Sequence, residues 1–564
     1  MVAAPDHGYP LPARKPSAVD SGVMRAPTSR PPVLARSTKR AVAASIGGML
    51  FVAIVSATPN SPFFPVFPTN YEPSGPLRLL ANLLQLGRLN TMGLMVVGLL
   101  ATASAAVGFL LVLREAWNRR ISMRTVMILS VIYAVVVITL PLLFSRDVWS
   151  YAYYGRLLST YGANPYHATP KDFDLNGLFG LTWPGWRGTP SVYGPLFTRM
   201  SAILTGAVLS PSSQVRGFQA IAAAASLGTI AILARLVGRV RPDRAVFAVA
   251  TVGLNPIVVF HVVGGGHNDM LVAFFIAAGV ALLFARRELL SAIAFGLGMS
   301  VKASAVVPLV LLIVAVVAAA DPERRRRVAL TFTGVIGGMW LLLAMPFLEA
   351  SNPTLGLVEV SGHDSWMAPG QLVVRLFSGI GGLIGGDSFR DPAAMIGRLA
   401  LFGVSLVGVS MIAHRIWKDP AARQPAALTA AFGWALLVVI LPSPVLFTWY
   451  LVWALPLVWA LPRVPRRAVV ILSAFFVVTQ LVTESSRLPE VLQSVKLPFG
   501  HPIAIAVCIW VGRDFVRRLR SGTPFDGETG EPAYGDRFEA GPYDVEDMPV
   551  RVGSARPVAA MRKR

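Results

Sequence analysis

Apolar segments of membrane-spanning length recur along this chain of 564 residues. Crossing the hydrocarbon core of a bilayer takes about 20 predominantly apolar residues in a helix. The composition agrees, because 54% of the residues are hydrophobic and only 14% are charged. The sequence therefore predicts an all-α, polytopic transmembrane helical bundle of about 14 spans. The predicted spans are residues 41–58, 92–113, 125–144, 217–237, 245–263, 267–285, 289–301, 303–320, 328–348, 396–417, 427–447, 448–462, 468–483 and 500–516.

The net charge of +22 comes from arginines that lie mainly in the short gaps between these segments. In a soluble protein this charge would suggest nucleic acid, but arginine-rich gaps in a membrane protein mark the cytoplasmic side. We therefore expect no nucleic-acid partner, membrane lipid around the bundle, and both termini in the cytoplasm. Residues 195–211 then do not cross, and we expect an interfacial or re-entrant helix in a long outer loop. The arginine-rich gaps are the N-terminal tail and residues 114–124, 235–244, 286–287, 324–327, 415–423, 463–467 and 513–520.

Both ends of the chain differ in composition from the apolar middle. Residues 1–40 are polar and rich in proline and arginine, which predicts a disordered, basic cytoplasmic tail. Residues 517–564 predict a second disordered cytoplasmic tail, with an acidic centre from Asp526 to Asp547. Residues 41–516 form one predicted transmembrane catalytic domain, whose first span serves as an uncleaved anchor. The single cysteine, Cys508, forms no internal disulfide.

A carboxylate and a cation stand where one predicted span leaves the bilayer, at Arg146 and Asp147. Ionisable groups at such places are often functional, and partial burial raises a carboxylate pKa whereas Arg146 lowers it. Asp147 is the candidate general base, and the alternative is that Ser145 or Asp147 caps the helix that follows. The next aromatic residues form either an interfacial belt or a platform for a sugar or a prenyl chain. These aromatic residues are Trp149, Tyr151, Tyr153 and Tyr154.

Two further polar groups lie on the predicted outer side. Residues 264–269, with three successive glycines, predict a tight turn whose backbone N–H groups could receive an oxyanion. His267 and Asp269 alone are a weak metal signal, and a simple polar turn is the other interpretation. Lys302 has no acidic neighbour between Glu288 and Asp321. It therefore either extends along the helix to the interface or binds a phosphate.

Several loop segments add candidate contacts. In the turn at residues 162–166, Asn164 is placed to hydrogen-bond a sugar hydroxyl. Residues 183–195 are rich in turn formers and aromatics, as in the rim of an acceptor groove. His363 and Asp364 lie in another long outer loop, and long ordered loops often carry function. The chain has no credible nucleotide-binding, zinc or hydrolase signature.

Residues 147–166, 192–195, 265–269 and Lys302 together resemble the actinobacterial polyprenol-phosphomannose-dependent α-1,6-mannosyltransferases, which are membrane glycosyltransferases of the GT-C fold. The resemblance covers roughly residues 41–516. It implies a polyprenyl monophosphate mannose donor, a mannan glycolipid acceptor and an inverting single displacement that forms α-1,6 linkages on the extracytoplasmic face. The product would belong to lipomannan or lipoarabinomannan. Asp147 matches the acidic residue that commonly serves GT-C enzymes as base.

The chemistry fits these implied roles. A hydroxyl nucleophile needs a proton acceptor, here Asp147, and a leaving phosphate needs cations, here Lys302 with Arg146 or Arg199. No cofactor and no metal are expected. A polyprenyl-phosphate-dependent arabinosyl- or glucosyltransferase, or a lipid-linked sugar transporter, are the alternatives. The candidate substrate-binding residues are Arg146, Tyr151, Asn164, Tyr166, Tyr193, Arg199, His267, Asn268, Asp269, Lys302, His363 and Asp364.

Overall fold

The computed structural model describes residues 35–58, 60–65, 77–173, 178–208, 210–349, 368–484 and 490–527. Every regular element in these ranges is helical, which confirms the all-α prediction. The first half contains α1 (Arg36–Ser56), α2 (Arg78–Leu83), α3 (Thr91–Trp117), α4 (Met123–Thr139), α5 (Asp147–Tyr161), α6 (Leu178–Leu181), α7 (Pro195–Ala207), α8 (Pro211–Val240) and α9 (Ala245–Gly253). The second half contains α10 (Asp269–Phe284), α11 (Glu288–Met299), α12 (Val306–Ala319), α13 (Arg325–Ala344), α14 (Pro369–Gly385), α15 (Arg390–Lys418), α16 (Pro425–Ile440), α17 (Arg463–Glu484) and α18 (Glu490–Ser521).

The described residues include several helical segments that suit a membrane. Six are long and apolar enough to cross one, judged by length and composition. Shorter apolar helices, such as α10, α12 and α16, overlap other predicted spans. The chain is therefore a membrane protein by this criterion, and the number of spans stays a prediction. The six segments are Arg36–Ser56, Thr91–Trp117, Pro211–Val240, Ala245–Val263, Arg325–Phe347 and Asp387–Lys418.

Several predicted spans are not continuous α-helices, and two of them bear on the candidate site. The segment 125–144 leaves the helix after Thr139, because Pro141 has no N–H and disfavours helical geometry in the residue before it. The segment 448–462 forms two 3-10 helices, Thr448–Trp453 and Leu455–Leu457, with Pro456 in the second. Both departures lie beside the polar cluster described below, where irregular backbone brings side chains together.

The boundaries of the predicted tails also differ from the structure. α1 begins at Arg36, and α18 continues to Ser521, so both predicted boundaries fall inside helices. Phe525 is buried beyond α18, where its carbonyl accepts a hydrogen bond from Trp434 Nε1 at 3.3 Å. The predicted outer loop at 349–395 likewise contains α14 and the start of α15.

Arginine-rich gaps from different parts of the sequence meet around shared aromatic rings. The guanidinium of Arg244 lies 3.4 Å from the centre of the Trp117 ring, and that of Arg466 lies 4.4 Å from it. Cations attract the faces of aromatic rings. The chain therefore brings the gaps at 114–124, 235–244 and 463–467 to one end of the bundle.

Packing between helices positions the segments that carry the candidate residues. α5 packs on α7, and α10 packs on both α8 and α11. The 3-10 helix Thr448–Trp453 packs on α10 and on the π-helical segment Ile257–Val263. The start of α10 consequently lies close to the aromatic residues of Thr448–Trp453.

Candidate active site

Asp147 is the first residue of α5, directly after the irregular segment that follows α4. Its N–H donates a hydrogen bond to Ser145 Oγ at 3.2 Å, so Ser145 satisfies a free amide at the start of the helix. The Asp147 carboxylate lies in the first helical turn, where the helix dipole favours a negative charge. Its side chain is 19% exposed, which leaves the carboxylate open to a reactant.

His267 connects Asp147 to the buried aromatic residues of α5. Its Nδ1 lies 3.7 Å from Asp147 Oδ2 and 3.3 Å from the hydroxyl oxygen of Tyr151. The imidazole also stacks on Trp449, with 4.1 Å between ring centres. The ring is thus held on one face by an indole, and its Nδ1 lies within hydrogen-bonding distance of the Tyr151 hydroxyl.

Asp269 and Lys302 form an ion pair beside this histidine. Lys302 Nζ lies 2.8 Å from Asp269 Oδ1, and the same oxygen accepts a hydrogen bond from Trp453 Nε1 at 2.8 Å. The ammonium also lies 4.6 Å from the centre of the Tyr450 ring. The sequence identified Lys302 as isolated because its sequence neighbours are apolar. In the structure its partner comes from another helix, so Lys302 is paired although no acidic residue lies near it in the sequence.

The turn that carries Lys302 is held by the start of α7. The N–H of Gly194 donates to the carbonyl of Val301 at 2.9 Å, and that of Leu196 donates to the carbonyl of Ser300 at 2.9 Å. A Cβ added to Gly194 would lie 2.2 Å from the Ser300 oxygen, so only glycine permits this approach. The end of segment 183–195, which was predicted to line an acceptor groove, therefore positions Lys302.

Burial and neighbouring charges set the protonation of the cluster. Burial raises the pKa of Asp147 to about 6, Lys302 acts to lower this pKa, and Asp269 acts to raise it. At neutral pH the site thus contains an ionised Asp147, a proton acceptor beside the imidazole of His267.

The glycine turn before α10 does not offer its amides to a ligand. Gly266 adopts a φ of 66°, which glycine tolerates best. The N–H groups of residues 264–267 are already used within the turn, so the predicted oxyanion site on these amides is wrong. Their acceptors are the carbonyls of Val259, His261, Val263 and Val262, at 3.0, 3.0, 3.2 and 2.9 Å.

Three predicted binding residues have structural partners instead. The Asn164 amide donates to the carbonyl of Phe347 at 3.0 Å and to Glu349 Oε1 at 2.7 Å. Tyr166 donates its hydroxyl to the carbonyl of Tyr193 at 2.7 Å. Arg199 Nε donates to the carbonyl of Leu343 at 3.1 Å. These bonds tie the α5–α7 region together and to the end of α13, and a role in substrate binding stays a prediction for these residues.

The remaining predicted site residues lie in different parts of the structure. Arg146 is half-buried directly before Asp147, while Tyr193 is buried with its ring edge-on to Tyr151, 4.9 Å between centres. Asn268 is buried at the start of α10. The predicted binding residues His363 and Asp364 lie outside the described residues. All four aromatic residues predicted after Asp147 are buried in the protein, which argues against an interfacial belt at Trp149, Tyr151, Tyr153 and Tyr154.

Sequence reasoning missed Trp449, Tyr450 and Trp453, which form the wall beside His267 and Lys302. It assigned them to a span because the residues are apolar on average. The density of aromatic residues between Phe447 and Trp453 was the available signal. Within the described ranges, no three His, Cys, Asp or Glu side chains are grouped to hold a metal. Metal independence stays a prediction.

Comparison with known proteins points to one family. A model described as Alpha-(1->6)-mannopyranosyltransferase, N-terminal domain, matches residues 49–319. A second, described as MptB C-terminal domain, matches residues 377–510. Together they match most of the chain.

Individual relatives carry the same description. The chain is 27% identical over 326 residues to Alpha-(1->6)-mannopyranosyltransferase A of Mycobacterium tuberculosis, covering 55% of this chain and 60% of that protein. It is 24% identical over 351 residues to Alpha-(1->6)-mannopyranosyltransferase B of Corynebacterium glutamicum, covering 57% of this chain and 56% of that protein. The chain thus spans less than two thirds of the length of these relatives. No solved structure matches it.

Proposed function

We propose, on the premise that this chain belongs to the alpha-(1->6)-mannopyranosyltransferase family, that it is a membrane mannosyltransferase of the GT-C type. Its donor is polyprenyl monophosphate mannose, and its acceptor is a mannan glycolipid of lipomannan or lipoarabinomannan assembly. The reaction is a single inverting displacement that forms an α-1,6 linkage.

The juxtaposition of Asp147 and the Asp269–Lys302 pair around His267 supports this proposal most strongly. Transfer from a glycosyl phosphate to a hydroxyl needs two groups, a base for the nucleophile and a cation for the leaving group. The structure supplies both within one polar cluster that is otherwise enclosed by aromatic rings. Asp147 and Lys302 keep 19% and 17% of their side chains exposed.

In the proposed reaction Asp147 takes the proton of the acceptor hydroxyl as its oxygen attacks the anomeric carbon. The bond from that carbon to the phosphate oxygen breaks on the opposite face, and the polyprenyl phosphate leaves. A carboxylate with a pKa of about 6 is ionised at neutral pH and still a stronger base than an ordinary aspartate. The imidazole of His267, which stacks on Trp449, lies 3.7 Å from this carboxylate.

Lys302 stabilises the negative charge that develops on the leaving phosphate. An ammonium binds phosphate as a compact point charge. Asp269 and Trp453 hold the lysine side chain in place before the donor arrives, which lowers the entropic cost of binding. The aromatic faces of Tyr450 and Trp453 stabilise the cation without neutralising it.

The proposed orientation places this site on the extracytoplasmic face and the termini in the cytoplasm. Arginines favour the cytoplasmic side, and three arginine-rich gaps meet at Trp117. Asp147 follows α4, whose other end adjoins the gap at 114–124. A single crossing by α4 then separates the arginine-rich end from Asp147.

The test is mannosyl transfer in membranes supplied with labelled polyprenyl phosphate mannose and a mannan acceptor. Asp147→Asn keeps the shape of the side chain and removes the proton acceptor, so transfer should fall by about 10² or more. The matched control is Asp321→Asn, which changes an exposed carboxylate between α12 and α13 and should leave transfer unchanged. Near-normal transfer by Asp147→Asn at equal protein level would contradict the assignment of the base.

A further inference from the structure

The first turn of α10 contains three buried polar atoms without a hydrogen-bond partner among the described residues. They are Nδ2 and Oδ1 of Asn268 and Oδ2 of Asp269. Asn268 is 2% exposed and Asp269 is 0% exposed. Buried polar groups in proteins are nearly always paired, because an unpaired group loses its water without replacement. These atoms therefore lack partners that a bound ligand or an ordered water would supply.

Another buried asparagine shows what a structural role requires. Asn255 is fully buried, as Asn268 nearly is. Its Nδ2 donates to the carbonyl of Thr251 at 3.1 Å and to Ser473 Oγ at 3.2 Å, and its Oδ1 accepts from the N–H of Ile257 at 3.0 Å. Asn268 has none of these bonds, so its carboxamide does not stabilise the fold in the same manner.

We propose that Asn268 and the open oxygen of Asp269 bind hydroxyl groups of the sugar that is transferred. This inference rests on the proposed function, in which Lys302 binds the donor phosphate. The other oxygen of Asp269 accepts the hydrogen bond from Lys302 at 2.8 Å. The sugar ring is joined to the phosphate by one bond, so its hydroxyls lie near the same carboxylate.

The three unpaired atoms of Asn268 and Asp269 match the hydrogen-bonding pattern of a sugar. A carboxamide offers donors and an acceptor, and a carboxylate oxygen accepts. Adjacent hydroxyls on one ring each donate one hydrogen bond and accept others. A site built to pair with a hydroxyl strongly rejects an analogue that lacks it, because buried polar groups of the protein then stay unpaired. Asn268 is accordingly a specificity-determining residue.

Deoxy donors test this role directly. Mannosyl transfer is measured for wild type and Asn268→Leu with polyprenyl phosphate mannose and with its 2-deoxy, 3-deoxy, 4-deoxy and 6-deoxy analogues. We expect Asn268→Leu to lower kcat/KM for the natural donor by about 10² or more. For at least one deoxy donor, Asn268→Leu should cause almost no further loss of kcat/KM. In that donor the hydroxyl that pairs with Asn268 is already absent.

Thermal unfolding of the donor-free protein separates this role from a structural one. Asn268→Leu removes the unpaired polar atoms and keeps the number and branching of the side-chain heavy atoms, so Tm should stay the same or rise. Asn255→Leu, the matched control, breaks satisfied hydrogen bonds and should lower Tm.

Each result has a distinct meaning. Losses that are additive for all four deoxy donors, or a Tm of Asn268→Leu that falls as in Asn255→Leu, would overturn this inference alone. Failure of the wild-type protein to transfer mannose from the natural donor would overturn the proposed function instead.

Discussion

At the scale of single residues, the proposed chemistry depends on a carboxylate that burial makes more basic. Loss of hydration disfavours the charged form and raises the pKa of Asp147 to about 6, although Lys302 opposes the change. Ser145 rather than the carboxylate bonds to the free amide at the start of α5. The Asp147 carboxylate is consequently available for proton transfer.

The pH dependence of transfer follows from this pKa. Asp147 must be ionised to accept a proton, so kcat/KM should rise with pH up to about 6 and level off above it. Below that pH it should fall about tenfold per unit. Initial rates from pH 4.5 to 8 would show this limb, and the residual rate of Asp147→Asn should lack it. A flat profile between pH 5 and 7 would contradict a base of this pKa.

Substitution of Lys302 has to take its buried partner into account. Lys302→Met leaves Asp269 as an unpaired buried charge, which destabilises a protein by about 3–5 kcal/mol. The double change Lys302→Met with Asp269→Asn avoids that charge and should fold better than the single variant. We expect both to lose donor use by about 10² or more, and Lys302→Arg to keep part of it.

Transfer at limiting donor, together with Tm, is the measurement for this series. Wild-type kcat/KM in the double variant would show that the lysine only completes the fold. If Lys302→Met alone were as stable as the wild type, this would contradict the role of Lys302 in pairing the buried charge of Asp269.

At the scale of elements, the site is assembled where regular helices end. α4 stops at Thr139, α5 and α10 begin at Asp147 and Asp269, and the Thr448–Trp453 segment is a 3-10 helix. These ends come together because α10 packs on α8 and on the 3-10 helix, and α5 packs on α7. The start of α7 then holds the turn that carries Lys302.

Gly194 should therefore be sensitive to the smallest substitution. In Gly194→Ala the new Cβ would lie 2.2 Å from the Ser300 oxygen, and relief of this overlap moves the Lys302 turn. Overpacking of this kind costs about 1–3 kcal/mol, so Tm should fall together with donor use. Gly403→Ala in α15 is the control, since nothing lies within 4 Å of its added Cβ. Equal Tm values for the two variants would contradict the close approach.

At the scale of the whole molecule, arginine distribution and packing agree on one cationic end. Arg244 and Arg466 share the ring of Trp117, and Arg325 lies 5.1 Å from the ring of Trp417 near the gap at 415–423. The proposed active site lies beyond the opposite ends of α4 and α9. This arrangement suits a donor whose lipid chain stays in the bilayer while its sugar reacts at the surface.

Single-cysteine labelling tests the orientation. In a Cys508→Ser background, a membrane-impermeant maleimide added outside intact cells should label Lys171→Cys and Ser388→Cys. Asp20→Cys and Glu323→Cys should react only after permeabilisation, because arginine-rich gaps face the cytoplasm. Labelling of Lys171→Cys only from inside would contradict the proposed side of the active site.

Composition and patterning by themselves determined the all-helical class and the membrane character, because helices in lipid require long apolar segments. They also identified Asp147, His267, Asp269 and Lys302, since charged or polar residues at the ends of such segments are costly and conspicuous. These predictions depend on local sequence, and the structure brings the four residues into one cluster.

Which of these groups are paired, and which lack a hydrogen-bond partner, depends on the tertiary structure. The pairing of Lys302 with Asp269 and Trp453 joins three separate segments, and residue types at each segment do not specify that contact. Hydrogen bonds within the turn closed the amides of residues 264–267, whereas Asn268 was left with unpaired polar atoms. The physical reason is that hydrogen-bond satisfaction depends on distances between folded elements, which hydropathy and spacing along a single chain do not contain.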